Sequence, residues 1–103
     1  MKLKSKKKRF IKTIKAELDL HGLIQDEAFP LVWDFLIEAQ ENNWSWIKII
    51  VGQGKNSKFG PVLPNMVLDI LKQLNLKYEW AEPNEGGQGA LLVKIKKSYP
   101  LDI

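Results

Sequence analysis

Two periods of apolar residues alternate along the chain. In Glu17 to His21, Leu18 and Leu20 share one side while Asp19 and His21 share the other, which predicts a strand ended by Gly22. Ala28, Leu31, Val32, Phe35, Leu36 and Ala39 then recur at helical spacing, with Asp34, Glu38 and Glu41 opposite, predicting a helix over residues 26–42. Phe29, Trp33 and Ile37 widen the apolar stripe, so this helix is expected to pack under more than one strand. Pro30 fits only in or near a first turn, and no capping side chain precedes the helix, where Ile24 and Gln25 stand instead. Trp46 to Val51 is β-rich and predicts a second strand. Leu63, Met66, Val67, Ile70, Leu71 and Leu74 predict a helix over 62–74, with Pro61 and Pro64 suited to its start. Tyr78 to Ala81 predicts a third strand. In the fourth, Ala90 to Lys96, Leu91, Val93 and Ile95 alternate with Leu92, Lys94 and Lys96.

The element order is therefore βαβαββ. Two helical crossovers make strands one to three parallel through right-handed connections, and the short Pro83–Gly89 loop makes strand four antiparallel. The expected fold class is α/β, built as an α+β two-layer sandwich: a four-stranded mixed sheet with one face under both helices and one face more open. A length of 103 residues accommodates one core. The segment from Ser98 to Ile103 is expected to cover an edge or fray.

Composition changes this picture in two ways. The absence of cysteine excludes disulfides and thiolate metal sites and fits a reducing cytosol. Lys12 follows Phe10-Ile11 at once, so no signal-peptide core develops, and runs such as Ile49 to Val51 are too short to span a bilayer. A cytoplasmic protein without membrane association is expected. The net charge of +4 is also unevenly placed. Eight basic side chains and no acid fall in residues 1–15, whereas residues 16–103 hold eight basic side chains against all 12 acids. The first segment reads as a basic arm, either simply solvated or a sequence-blind tether for phosphates, and the second as the domain proper.

The chemistry is expected at one sheet edge. Parallel strands bring their C-terminal ends together, so His21-Gly22, the Gly52–Gly60 loop and the Pro83–Gly89 loop should share a rim. Glycine-rich loops let backbone amides converge on an anion, and Lys55 and Lys58 add charge. A nucleotide-phosphate loop of the Gly-x-x-x-x-Gly-Lys-Ser/Thr type is excluded, because Ile49 stands where its first glycine belongs and Asn56 where its hydroxyl belongs. No nucleotide or organic cofactor is expected. Asp19 and His21, alternating on a strand, should point to the same side about 6.5–7 Å apart along it. Such a pair suits cation binding or general-base work on a phosphodiester, with Glu82 and Glu85 available to complete an oxygen-rich site. It equally suits a loop cap with a hydrogen-bonded strand end. The four tryptophans, Trp33, Trp44, Trp46 and Trp80, read as core rather than stacking platforms, with Trp44 the most exposed.

Leu18-Asp19-Leu20-His21-Gly22, Asp26-Glu27-Ala28, Gly52-Gln53-Gly54, Gly60-Pro61-Val62-Leu63 and Gly86-Gly87-Gln88-Gly89-Ala90 together resemble the ordered motifs of the small MutS-related (Smr) domain, in its stand-alone bacterial form. The resemblance covers about residues 17–96. It implies a βαβαββ fold like the C-terminal domain of bacterial translation initiation factor three. It also implies nucleic-acid binding, DNA ahead of RNA, often with nicking endonuclease activity that can depend on Mg²⁺ or Mn²⁺. The Leu-Asp-Leu-His motif implicated in cleavage maps onto Asp19 and His21. Phosphate contacts fall to Gly52, Gly54, Lys55, Lys58, Gly86, Gly87 and Gly89, and a metal to Asp19 and Glu85. The second motif departs from the common His-Gly-Lys-Gly: it reads Val51-Gly52-Gln53-Gly54, keeping the glycines and losing the histidine and lysine. Three functions follow: a nicking endonuclease, a non-catalytic nucleic-acid-binding module, or a protein-docking domain using the acidic face of Asp34, Glu38 and Glu41. A monomer is compatible with each.

Overall fold

The computed structural model describes residues 13–52, 62–82 and 89–96. Its elements follow the expected order: β1 (Ile14–Asp19), α1 (Gln25–Glu41), β2 (Trp46–Ile50), α2 (Val62–Gln73), β3 (Lys77–Trp80) and β4 (Ala90–Lys94). The sheet order is β1-β2-β4-β3, with β1 parallel to β2 and β4 antiparallel to both neighbours. Strands β1, β2 and β3 therefore all run the same way, and β4 is inserted between the second and third.

The side-chain alternation assigns the two faces. Leu18, Ile47, Ile49, Leu91, Val93, Tyr78 and Trp80 join the cluster beneath the helices, to which α1 contributes Ala28, Val32, Phe35, Leu36 and Ala39, and α2 contributes Met66, Val67, Ile70 and Leu71. On the helix-free face Ala81, Ala90 and Leu92 form a smaller cluster with Ile14, Trp46 and Ile50. Ile14 reaches that face through a bulge: the four residues of β1 from Ile14 to Glu17 oppose the three of β2 from Trp46 to Lys48. The strand thus starts earlier than the Leu18–Leu20 alternation indicated, and Ile14 and Lys15 belong to the sheet rather than to the basic arm.

Three other expectations are corrected. Pro30 is the sixth residue of α1, beyond its first turn, so the Asp26 carbonyl loses an amide partner there; both residues are exposed, which leaves that carbonyl to water. Phe29 and Leu31 do not enter the core and are 45% and 41% exposed, because each lies on a flank of the stripe centred on Val32 and Leu36. Trp44 is half-buried against the core, its ring tilted on Phe35 with centroids 6.4 Å apart. The missing helix cap is replaced from within, since the Glu27 carboxylate accepts the Ile24 N–H at 3.1 Å.

Adjacent positions of β2 test this assignment. Ile49→Ala should lower the unfolding free energy by about 2–5 kcal/mol in urea denaturation, since Ile49 is fully buried. Lys48→Ala, on the half-exposed opposite face, should change it by less than about 1 kcal/mol.

Candidate nucleic-acid interface

The shared strand-end rim is built from the core upward. Leu20 follows β1 with its side chain fully buried, and its N–H donates to the Ile50 carbonyl at 2.7 Å, continuing the β1–β2 pairing one step past the strand. Val51, also buried, donates its N–H to the Gly89 carbonyl at 2.8 Å, and Gly52 donates to the same oxygen at 3.0 Å. Ala81 at the end of β3 donates to Ala90 at 3.0 Å. The ends of β1, β2 and β3 and the start of β4 are thus stitched into one edge. A Cβ built on Gly52 would lie 3.6 Å from the His21 Cβ, so the backbone after β2 passes directly beside the histidine. Gly22 and Gly52 adopt φ of +85° and +72°, a left-handed conformation that a side chain would strain.

Asp19 and His21 meet more closely than two alternating strand positions would. The strand stops at Asp19 and His21 lies in a turn, so the side chain of Asp19 folds over the backbone that follows it. One carboxylate oxygen, Oδ1, accepts both the His21 backbone N–H at 3.0 Å and the ring Nδ1–H at 2.9 Å. An ionised carboxylate only accepts, so Nδ1 carries the proton and the Nε2 lone pair faces away from Asp19. The His21 and Asp19 side chains are 71% and 53% exposed, which opens both to a solution partner. The side-chain and then the backbone hydrogen bond from His21 hold the Asp19 carboxyl below its ordinary value of 3.8. The capping role foreseen for Asp19 is thus met by the backbone N–H of His21.

The surroundings favour anions unevenly. The first turn of α1 carries Asp26 and Glu27, which neutralise the positive end of its dipole. The first turn of α2 carries no acid, and the β2–α2 crossover directs that turn toward the same rim. The oxygen-rich site does not assemble from Glu82: β1 and β3 are opposite margins of the sheet, so Asp19 and Glu82 stand about three strand spacings, roughly 14 Å, apart. Among the described residues no group of three or more His, Cys, Asp or Glu gathers to hold a metal. Gly54, Lys55, Lys58, Glu85, Gly86 and Gly87 lie outside the described residues, while Gly52 and Gly89, which flank their loops, both sit at the rim. Val51, in the position of the family histidine, points into the core and offers no titratable group. Among the described residues no helix is long and apolar enough to cross a membrane.

Known proteins share this fold. The Smr domain family matches residues 18–96. A protein of Treponema pallidum is 35% identical over 88 residues, covering 84% of this chain and 44% of that protein. Endonuclease MutS2 of Staphylococcus saprophyticus is also 35% identical, covering 92% of this chain but 12% of its own length. The chain therefore spans less than half of either relative. The crystal structure of the Smr domain of Thermus thermophilus MutS2 superposes with a TM-score of 0.69 at 28% identity, covering 79% of this chain and 98% of that one.

Two outcomes are expected at the rim. Because the folded Asp19 carboxyl is depressed, its contribution to stability is full above the unfolded value and is lost as pH falls through the folded one. Carboxyl NMR should place its midpoint below 3.8 in the parent and higher in His21→Ala; equal midpoints would refute the contact. Gly52→Ala should cost about 1–2 kcal/mol in thermal or urea unfolding, from its left-handed backbone.

Proposed function

The chain belongs to the Smr domain family, and on that premise we propose that it binds nucleic acid through backbone phosphates at the Asp19–His21 rim and nicks DNA there. The observation that carries the reading is the 2.9 Å contact between Asp19 Oδ1 and His21 Nδ1, which in the neutral ring directs the free Nε2 lone pair outward from an exposed side chain. Nε2 takes a proton from water as its oxygen attacks phosphorus. A new P–O bond forms, the bond to the leaving sugar oxygen breaks, and that oxygen is protonated from solvent. Asp19 fixes the ring tautomer and stabilises the imidazolium that results. In the same reading the amides of Gly52, Gly54, Gly86, Gly87 and Gly89, with Lys55 and Lys58, cradle the phosphates.

Asp19 suits a divalent cation. Among the described residues its Oδ2 accepts no hydrogen bond, so it is the group that would hold Mg²⁺ or Mn²⁺, with Glu85 a further candidate, while His21 Nε2 is kept for the proton. The cation would supply charge stabilisation at a phosphate oxygen, and Mg²⁺ commonly takes its remaining ligands from water and substrate phosphate. This chemistry acts in the cytoplasm, on DNA in preference to RNA, and needs no organic cofactor.

Binding without hydrolysis is the second reading, and Val51 favours it. Its side chain is 3% exposed, so His21 acts with no neighbouring imidazole at the second motif. Nicking of supercoiled plasmid by purified protein, with Mg²⁺ and with Mn²⁺, separates the two. The parent should convert supercoiled to open-circular DNA, and Asp19→Asn and His21→Ala should each be slower by about 10²-fold or more. A parent that binds DNA without cutting it supports the second reading; variants that cut as fast as the parent refute the base assigned to His21.

A further inference from the structure

The opposite rim of the sheet also has the character of an anion site. A cleft of about 420 Å³ opens there, lined by Ser45, Asn75, Lys77, Lys94, Ile95 and Lys96. It lies where β2 and β3 begin and β4 ends, so the sheet separates it from His21. Lys77 and Lys94 are directly opposed across the antiparallel β3–β4 ladder. Like charges so placed repel and work against the pairing they sit on. Among the described residues none of Lys77, Lys94 and Lys96 enters an ion pair, and the contact Lys96 makes is through its carbonyl, which accepts Gln40 Nε2 at 3.1 Å. Glu79, the acid of β3 on this face, stands opposite Leu92, one ladder step from Lys94, and has an interaction of its own. Ser45 and Asn75 add neutral hydrogen-bonding side chains beside the ammonium groups.

We propose that this lysine-lined cleft is a second phosphate-binding site, taking the backbone of the same nucleic acid that engages the His21 rim. The inference rests on the chain binding nucleic acid at all, and extends it to a surface that none of the sequence motifs reaches. The helix-free face joins the two rims. Lys48 lies on it between them, paired with Leu92, and Ala90 to Lys94 is four strand steps along β4. The rims are therefore about 13 Å apart, or about four steps of a duplex backbone. An unpaired lysine cluster is unfavourable alone and becomes favourable once phosphate replaces its condensed counterions.

The test is the salt dependence of binding to a labelled 20-base-pair DNA duplex, read by fluorescence anisotropy beside urea denaturation. The Lys77→Gln, Lys94→Gln, Lys96→Gln triple variant should fold at least as stably as the parent, because repulsion is removed. The slope of log affinity against log salt should fall by about 2–3 units, and Lys94→Arg should keep the parent slope. A triple variant that binds with the parent's affinity and slope overturns the second site while leaving the first rim standing. A triple variant that loses stability together with binding shows the lysines to be structural and overturns it as well. A parent without salt-dependent binding overturns both sites.

Discussion

Everything at the Asp19–His21 rim depends on a buried leucine between two exposed polar residues. Leu20 is fully buried, and its amide is bonded to Ile50 across the parallel β1–β2 pair. A side chain anchored so firmly leaves its neighbours little freedom: Asp19 and His21 must face outward, and the turn at Gly22 must begin there. The same hydrogen-bond step brings the end of β2 alongside, so that a Cβ added at Gly52 would meet His21 at van der Waals distance. Rigid core thus becomes chemical position within a single residue.

The electrostatics follow from that geometry. One Asp19 oxygen accepts two donors from His21, an arrangement that costs little because both side chains remain solvated. It sets which ring nitrogen bears the proton, and it does so without burying a charge. The acidic first turn of α1 and the acid-free first turn of α2 then bias where an anion rests. The second, lysine-lined rim would add attraction without chemistry, matching the general division between contacts that position a nucleic acid and groups that act on it.

Much of this was legible in the sequence, for physical reasons that also mark where legibility ends. Strong periodicity located both helices to within a residue and showed three strands to be parallel, because a helical crossover leaves no other direction. The position of β4 was not legible: a short loop fixes its direction, while its insertion between β2 and β3 depends on long-range pairing. That insertion separates Glu82 from Asp19, an outcome local pattern cannot reveal. The start of β1 was obscured because Lys12 and Lys15 surround Ile14 and a bulge breaks the alternation. Asp19 and His21 were identifiable as a pair, but the strand spacing assumed for them gave way to a turn, where an aspartate side chain prefers its own downstream amide. The lysine cleft carried no motif, since its members are brought together by register.

The chemistry proposed at the rim needs a histidine whose outward nitrogen is free to accept a proton. The most direct measurement is the ¹⁵N NMR spectrum of the His21 ring in the folded protein, recorded at a pH where the imidazole is neutral. The arrangement predicts a protonated Nδ1 and an unprotonated Nε2, with this preference lost in Asp19→Ala. A ring that carries its proton on Nε2 in the parent would contradict it.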